Sequence, residues 1–317
     1  MELCLSVPSR VHFGLLQMSG RYSTVNMGVG GALTWPRWIL EVAESRRDEI
    51  SSEVDLDDDI RVSAVGVMDR LAERLGGRMR VNVVEAVPAH AGLGSKTSFL
   101  CGLTAAACEL SGTAEKWPDY RHLTGRGGTS GIGINTSASG GIILDSGHAE
   151  SGGQRLFAPS RVRAGRPIPE VVTRWSAADW PMLVVTPRGA TRFHGVAEND
   201  LLRDFTPLPA DEVERNAAVV LYELAPGLTL GSYEMVAHAV SELQDVGLKR
   251  RQWEVQSPLV RRTRERLLAL GADCVALSSM GPSMLVLTTS PHEVGEAVGD
   301  TCDVLMTSFK DTGIELV

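Results

Sequence analysis

Apolar and polar residues alternate at the start of the chain, where Leu3, Leu5 and Val7 are followed by Val11 and Phe13 in the same phase. A period of two is typical of a strand with one buried face, so this segment is predicted to open a β-sheet. The same reasoning predicts further strands at residues 33–43, 79–85, 182–186, 274–277 and 284–287.

Longer segments with helical periodicity lie between these strands. They predict helices near residues 61–76, 96–110, 209–224, 229–247 and 258–270, the first of them closed by Gly76-Gly77. Strands and helices alternate in both halves of the chain, which favours a two-domain α/β or α+β protein. Residues 151–181 are rich in Gly, Pro and Arg without a clear period, and we interpret them as an interdomain connection.

Length and composition narrow the class of protein. The 317 residues are 43% hydrophobic and 22% charged, as expected of a soluble globular chain of one large or two ordinary domains. The 31 Lys and Arg against 39 Asp and Glu give a net charge of −8. This excess of acid excludes general electrostatic binding to nucleic acid. The acidic segment 53–59 is predicted to be a solvated loop.

The location of the protein is also constrained by its sequence. No apolar run approaches the roughly 18–20 residues that a membrane-spanning helix needs, and the N-terminus lacks the features of a secretory signal. The five cysteines are scattered and form no CxxC pair, which favours reduced thiols in a cytoplasmic protein. They are Cys4, Cys101, Cys108, Cys274 and Cys302.

A strand–loop–helix at residues 88–97 carries the strongest chemical signal. Its glycines let a ligand approach the backbone, and the helix that follows offers unpaired N–H groups at a positive dipole end. We interpret it as a phosphate or diphosphate cradle, although a tight connecting turn would have a similar sequence. It is not a Walker motif, because GxxxxGK[ST] is absent. The candidate ligand-binding residues here are Gly92, Leu93, Gly94, Ser95, Lys96 and Thr97.

Two further loops are rich in small residues. The second, at 125–133, combines five glycines with a fixed cation, and the third, at 278–283, lies between two predicted strands. Each alone is compatible with a surface turn, but three such loops in one chain favour a polyphosphate ligand. The candidates are Arg126, Gly127, Gly128, Thr129, Ser130, Gly131 and Gly133 in the second loop, and Ser279 and Gly281 in the third.

A few titratable residues stand near these loops. Arg10 and His12 are two apart on the first strand and therefore face the same side. Asp145 ends an apolar strand beside a glycine-rich turn and is the best-placed carboxylate. Neither a paired-His zinc spacing nor a GxSxG elbow is present, so a dedicated zinc site and a serine hydrolase are not expected.

Together these motifs resemble the GHMP kinase superfamily. Pro88–Ser95 is similar to its central glycine loop, and Ser278–Ser283 to its third motif. Other strings resemble one branch that does not act as a kinase, the β-ribofuranosylaminobenzene 5′-phosphate synthases. These strings are Ser9–Gly14, Arg126–Gly133, Gly140–His148, His194-Gly195 with Glu198, and Gln244–Gly247.

This resemblance implies a fold and a reaction. It implies an α+β fold in two domains, with a ribosomal protein S5 domain 2-like half at residues 1–165 and a ferredoxin-like half at 166–317. It implies a pentosyltransferase that uses phosphoribosyl diphosphate and Mg²⁺ to join ribose C1 to an aromatic ring carbon, with loss of diphosphate and CO₂. Our catalytic candidates are Asp145, as the carboxylate stabilising the ribosyl cation, with His12 and Lys96. Arg10 and His194 are added as substrate-binding residues.

The chain departs from the branch at two positions. It has Lys96 where the family usually has glycine, and Asn26 where we would expect aspartate. The added charge at the mouth of the anion loop suggests a different acceptor. We therefore favour a C-glycoside synthase of C-nucleoside antibiotic biosynthesis, with a pyrazole carboxylic acid as acceptor. A second carboxylate on that acceptor would then pair with Lys96 or a nearby arginine.

Three other hypotheses remain at this stage. In the first hypothesis, the acceptor is 4-hydroxybenzoate or 4-aminobenzoate, as in the family's named reaction. Alternatively, the same loops hold ATP in a small-molecule kinase, or the chain is a ligand-binding paralogue without catalysis. A homodimer is the default expectation for the oligomeric state.

Overall fold

The computed structural model describes residues 2–113, 116–149, 166–176, 179–193 and 196–317 of the chain. Within them, thirteen strands form three sheets. The strands are β1 (Glu2–Leu15), β2 (Thr24–Val25), β3 (Gly28–Ser45), β4 (Glu49–Ser52), β5 (Arg78–Glu85), β6 (Ile142–Asp145), β7 (His148–Ala149), β8 (Val171–Trp175), β9 (Met182–Pro187), β10 (Cys274–Leu277), β11 (Met284–Leu287), β12 (Cys302–Thr307) and β13 (Glu315–Leu316).

The helices of these residues alternate with the strands in the first half and cluster in the second. They are α1 (Asp58–Leu75), α2 (Ser95–Leu110), α3 (Trp117–Tyr120), α4 (Ile132–Ser139), α5 (Val196–Phe205), α6 (Ala210–Val219), α7 (Ala225–Leu230), α8 (Tyr233–Gln244), α9 (Gly247–Glu254), α10 (Pro258–Ala269) and α11 (Pro291–Val298). A 3₁₀ turn follows α3, and a π-helical turn at Val220–Leu224 joins α6 to α7.

The larger sheet has the order β13-β1-β3-β5-β4, and β6 and β8 extend it from β3. β1 and β3 form a long antiparallel pair, with irregularities after Pro8 and His12. α1, α2 and α4 pack on this sheet and on one another. Trp38 of β3 and Phe99 of α2 are buried at this interface with ring centroids 4.8 Å apart, and Trp38 Nε1 donates to the carbonyl of Ser95 at 3.1 Å. The core therefore fixes the start of α2.

Helix α1 illustrates how local sequence sets an element. Its buried residues recur at helical spacing, and Asp57 caps the helix by accepting hydrogen bonds from the N–H groups of Asp59 and Ile60 at 3.0 and 3.2 Å. Gly76 ends it in the left-handed conformation, at φ 82°. The predicted helix at 61–76 is confirmed, and it begins three residues earlier because the acidic segment supplies its cap and first turn.

The smaller sheet has the order β10-β11-β9-β12, and all its strand pairs are antiparallel. One face packs against α10 and α11, and the other joins the large core through α8. The strands predicted at 274–277 and 284–287 are confirmed at both ends. Mixed helices and sheets around these cores confirm the α+β prediction.

Two predicted segments differ from the elements that the structure shows. Residues 151–181 were expected to be a connection, but Val171–Trp175 forms β8 and pairs with β6 in the larger sheet. The predicted helix at 229–247 is divided, because Gly231 adopts φ 67° and Ser232 starts α8 by accepting a hydrogen bond from Met235 N–H at 3.4 Å. The larger sheet also receives β13, so it draws strands from both sides of the expected boundary at 165/166.

The five cysteines all lie within the described residues. All five cysteines are free, and Cys101 and Cys108 are buried. Among the described residues, no helix combines the length and the apolar character needed to cross a membrane.

Candidate active site

A cleft of about 510 Å³ brings together the loops that the sequence analysis singled out. Strand β1, the start of α2, the loop before α4, helices α5 and α9, and the turn between β10 and β11 all contribute to it. Its lining residues are Arg10, His12, Gly14, Leu15, Asp57, Asp58, Asp59, His90, Ser95, Lys96, Thr97, Arg126, Gly127, Thr129, Ser130, Gly133, Glu198, Leu202, Leu248, Lys249, Gln252, Ser279 and Met280.

The first and third loops are locked against each other behind the cleft. Ser278 Oγ donates to the carbonyl of Gly92 at 2.8 Å, and Ser283 N–H donates to the carbonyl of Ala91 at 3.1 Å. A Cβ on Gly92 would lie 2.1 Å from the Ser278 carbonyl oxygen, and its φ of 86° already favours glycine. Glycine is therefore required at position 92 so that the first and third loops can touch. Gly92 itself does not line the cleft.

Helix α2 directs its N-terminus into the cleft. Its N-cap, Gly94, supplies no side-chain hydrogen bond, so the first N–H groups remain available to an anion. Arg10 lies directly over Gly94, where an added Cβ would be 3.0 Å from the guanidinium stem. Arg126 Nε donates to Thr97 Oγ1 at 3.1 Å, which adds a second guanidinium beside the same helix turn. This end of the cleft is suited to a multiply charged anion.

Arg10 is half-buried in the wall of the cleft. Its Nη1 donates to the carbonyl of Gly92. Burial lowers the pKa of Arg10 to about 10, and Glu198 opposes that shift while Arg126 adds to it. The guanidinium therefore remains charged at neutral pH.

His12 is buried on the same side of β1 and is neutral near pH 7. Burial, with smaller contributions from Arg10 and Lys249, lowers the pKa of His12 well below its usual 6.5. Its Nε2 lies 3.1 Å from Ser130 Oγ, and its carbonyl accepts a hydrogen bond from Ser279 N–H at 3.2 Å. His12 thus contacts the second loop through its imidazole and the third loop through its backbone carbonyl.

Asp145 lies behind the cleft wall. Its side chain is fully buried and accepts hydrogen bonds from the N–H groups of Gly28, Gly131 and Gly147, at 2.8, 2.8 and 3.0 Å, and from Ser130 Oγ at 3.2 Å. Burial raises the pKa of Asp145, and these four donors oppose the rise. The sequence analysis expected this carboxylate to contact the substrate directly. In the structure it lies behind the cleft lining and supports the loop at Ser130.

Lys249 is a cleft residue that the sequence analysis missed. It comes from α9, is 3% exposed, and donates from Nζ to the carbonyls of Leu277 and Ser279 at 2.6 and 2.8 Å. Burial, and secondarily Arg10, lowers the pKa of Lys249 well below its usual 10.5. Lys249 and Gln252 are three apart on the helix and share its cleft-facing side. In the sequence, Lys249 stands in a run of three basic residues, so nothing distinguished it there.

The acidic segment contradicts its interpretation as a merely solvated loop. Asp58 and Asp59 form the first turn of α1 and line the cleft together with Asp57. Asp59 forms an ion pair with Lys96, and Asp57 Oδ2 lies 3.2 Å from His90 Nε2. Packing of α1 against α2 brings these carboxylates to the mouth of the anion cradle.

One wall of the cleft is apolar. Leu15, Leu202, Leu248 and Met280 each line it and are nearly fully buried. Leu15, Leu202 and Leu248 belong to one hydrophobic cluster with Met18. A flat ring could pack against this wall while its charged substituents face the basic side.

The predicted site residues fall into three groups. Those that line the cleft are Arg10, His12, Ser95, Lys96, Thr97, Arg126, Gly127, Thr129, Ser130, Gly133 and Ser279. Those that lie behind its lining are Gly92, Leu93, Gly94, Gly128, Gly131, Asp145 and Gly281. His194 lies outside the described residues. Asn26 also does not line the cleft, and it is fully buried with φ 73°.

Comparisons with known proteins agree with this arrangement. No protein-family model matches the chain. The beta-ribofuranosylphenol 5′-phosphate synthase of Methanothermobacter thermautotrophicus is 30% identical over 308 residues, which cover 95% of this chain and 93% of the relative. The chain belongs to this family. The enzyme of the same name from Archaeoglobus fulgidus is 27% identical, and the match covers 99% of both chains. The resemblance found in the sequence motifs is confirmed.

Solved structures similar to this family member are GHMP kinases. Homoserine kinase from Cytophaga hutchinsonii superposes with a TM-score of 0.70 at 16% identity, covering 100% of this chain and 97% of the kinase. Mevalonate kinase from Methanococcus jannaschii gives 0.66 at 11% identity, covering 98% and 99%. At these identities the likeness establishes the fold, and the predicted two-domain GHMP architecture is confirmed.

Proposed function

We propose that this protein is a C-glycoside synthase that transfers ribose 5-phosphate from phosphoribosyl diphosphate to a ring carbon of an aromatic or heteroaromatic carboxylic acid. Membership of the synthase family supports a ribosyl-phosphate reaction. The observation that carries the proposal is the pairing, in one cleft, of a multiply cationic side with an apolar wall. A sugar diphosphate needs the former, and an aromatic ring needs the latter.

The basic side is unusual for a chain with a net charge of −8. Arg10, Lys96 and Arg126 line the cleft at the N-terminal turn of α2, and Lys249 lines it as well. Cations and N–H groups concentrated at one place stabilise charge that builds up on a leaving group. We assign the diphosphate to this helix end.

The reaction balances without a strong protein base. The bond from ribose C1 to diphosphate breaks, and its electron pair leaves with the diphosphate, so positive charge develops on the ribose. The ring carbon bearing the carboxylate then attacks C1. When the bond to the carboxylate breaks, CO₂ leaves and its electron pair restores ring aromaticity. In this scheme Arg10 and Arg126 bind the leaving group, and the apolar wall holds the ring and excludes water.

Magnesium fits the carboxylates at the mouth of the cleft. Ligand atoms of Asp57, Asp59 and His90 lie within 4.8 Å of one another. Mg²⁺ commonly uses one or two carboxylates together with substrate phosphates, so Asp57 and Asp59 are our proposed ligands. When bound, Mg²⁺ would neutralise diphosphate charge. In the structure Lys96 pairs with Asp59, so its ammonium neutralises this carboxylate at the proposed metal site.

For the acceptor we favour a pyrazole carboxylic acid over a benzoate. The support is Lys96, which stands at the mouth of the anion loop where the family usually has glycine. Its ammonium lies at the edge of the cleft and could exchange Asp59 for a second acceptor carboxylate. 4-Hydroxybenzoate and 4-aminobenzoate are the competing acceptors.

The first experiment measures diphosphate release from phosphoribosyl diphosphate and Mg²⁺ with a panel of acids. The panel contains pyrazole carboxylates, 4-hydroxybenzoate and 4-aminobenzoate, with ATP as a parallel donor. Release that depends on a pyrazole acid supports the full proposal, and dependence on a benzoate restricts it to the family's named reaction. No release with any acid, together with phosphoryl transfer from ATP, would overturn it in favour of a kinase.

A further inference from the structure

Burying a charged lysine in the environment of Lys249 costs free energy that a purely structural role would not explain. Its side chain is 3% exposed, and its hydrogen bonds go to two backbone carbonyls, those of Leu277 and Ser279. An ammonium carries three N–H donors, so two carbonyls leave one donor to be used. Neither carbonyl supplies the negative charge that a buried ammonium ordinarily needs.

The position of Lys249 is equally specific. It lines the cleft beside Leu248 of the apolar wall, and its stem passes Gly14, where an added Cβ would lie 3.7 Å from Lys249 Cγ. Arg10 and His12 are its electrostatic neighbours on β1. The lysine therefore stands between the wall assigned to the ring and the cations assigned to the diphosphate.

We propose that Lys249 binds an oxyanion of the substrates, either a carboxylate or a phosphate, through its third N–H donor. The two carbonyls hold the side chain in place before the substrate arrives, so little rotamer entropy is lost on binding. This inference rests on the proposed function and names a residue that completes its site. The acceptor carboxylate and the 5-phosphate of the donor are the two sources of such an oxyanion.

Binding of an oxyanion has a consequence for protons. Burial lowers the pKa of free Lys249, and a bound anion in contact with the amine raises it again. Above the lowered pKa, the free protein holds a neutral amine, which takes up a proton as the anion binds. The titratable groups that interact with Lys249 are Arg10 and His12, and the carboxylate of Glu198 acts on Arg10 in turn. His12 is neutral in the same pH range and does not mask the uptake.

Isothermal titration calorimetry tests this directly on the whole chain. Wild-type protein is titrated with ribose 5-phosphate, 4-hydroxybenzoate and a pyrazole carboxylate, in two buffers of different ionisation enthalpy. The range is about pH 7 to 9.5, between the ordinary pKa values of histidine and lysine. The difference between buffers gives the protons taken up. We expect proton uptake on binding within this range, because burial lowers the pKa of free Lys249 and a bound anion raises it.

Variants identify the group that takes up the proton. Lys249→Met should abolish uptake and weaken binding of the responsible ligand by about 10- to 100-fold, the size of one charged hydrogen bond. Lys249→Arg should restore affinity without uptake, because arginine stays protonated. His12→Gln should retain uptake. The matched control is Lys116→Met, which removes an exposed lysine outside the cleft.

The outcomes distinguish the two sources of the oxyanion, and they distinguish failure of this inference from failure of the proposed function. Uptake with ribose 5-phosphate assigns the donor phosphate, and uptake with an acid assigns the acceptor carboxylate. Binding without uptake at any pH, or equal uptake by Lys249→Met, overturns the inference, and the wild-type titration decides this even if the variant does not fold. A wild-type protein that releases diphosphate but shows neither effect loses only this inference. Absence of turnover in the acid panel is a failure of the proposed function instead.

Discussion

Nε2 of His12 lies 3.1 Å from Oγ of Ser130, a residue 118 positions further along the chain. Ser130 donates its single hydroxyl proton to Asp145, so the serine oxygen accepts from the imidazole N–H. This arrangement selects one tautomer of His12 and fixes the second glycine loop against β1. Asp145 therefore acts on the cleft through Ser130, as a positioning residue.

Replacing Ser130 by alanine should lower kcat by about 10- to 100-fold with a smaller change in KM, because it releases His12 without removing a cation from the cleft.

Asp145→Asn should act on stability. It places an NH₂ group against backbone N–H donors and should reduce the free energy of unfolding by about 2–4 kcal/mol. Steady-state kinetics and urea unfolding measure the two effects. An Asp145→Asn protein with unchanged stability would contradict the supporting role.

Gly92 and Gly76 provide a matched pair for the loop contact. Both have φ above 80°, but only an added Cβ at Gly92 meets the protein, at 2.1 Å from the Ser278 carbonyl. Gly76→Ala should cost about 1–2 kcal/mol from the left-handed backbone alone. Gly92→Ala should cost roughly 2–4 kcal/mol more and impair activity, because the first and third loops must separate. Equal losses in chemical unfolding would show that the contact between these loops contributes nothing.

Lys96 tests the identity of the acceptor. If it pairs with a second acceptor carboxylate, Lys96→Ala should raise the acceptor KM by about tenfold or more and the donor KM much less. Lys96→Arg is the control that keeps the charge. Steady-state kinetics with each substrate varied in turn give both constants. Equal increases in the two KM values would count against this pairing and place Lys96 with the diphosphate.

The stability of the protein should depend on pH through His12. Its pKa is lowered in the folded state, so below about pH 6.5 the unfolded chain binds a proton that the folded chain resists. The contribution is complete above that pH and is lost as the pH falls toward the folded pKa. His12→Gln should flatten the slope by at most about 1.4 kcal/mol per pH unit. Urea unfolding at several acidic pH values measures it, and parallel slopes in both proteins would refute the assignment.

The proposed magnesium ligands can be tested with a control from the same loop. Asp59→Asn should raise the Mg²⁺ concentration for half-maximal activity by about tenfold, since one of two carboxylate ligands is lost. Asp55 is exposed and lies outside the cleft, so Asp55→Asn should leave the Mg²⁺ requirement unchanged. Titration of Mn²⁺ binding in the presence of diphosphate supplies a readout independent of turnover. Identical requirements in the two variants would remove Asp59 from the metal site.

Local patterns in the sequence determined much of this protein. Strand period, helix caps and turn glycines are properties of neighbouring residues, so β10, β11 and α2 could be placed almost to the residue. The glycine loops and the strings around them also identified the family, since close approach of backbone to an anion restricts which residues can stand there.

Only the tertiary structure decided which charged groups meet. Lys249 reaches the cleft because α9 packs beside β1, and the acidic segment reaches it because α1 packs on α2. Asp145 is the best-placed carboxylate by its position at a strand end, yet four donors enclose it, and those from Gly28, Ser130 and Gly131 come from other segments of the chain. Burial and electrostatic neighbours arise from packing between elements far apart in the chain, and no local pattern records them.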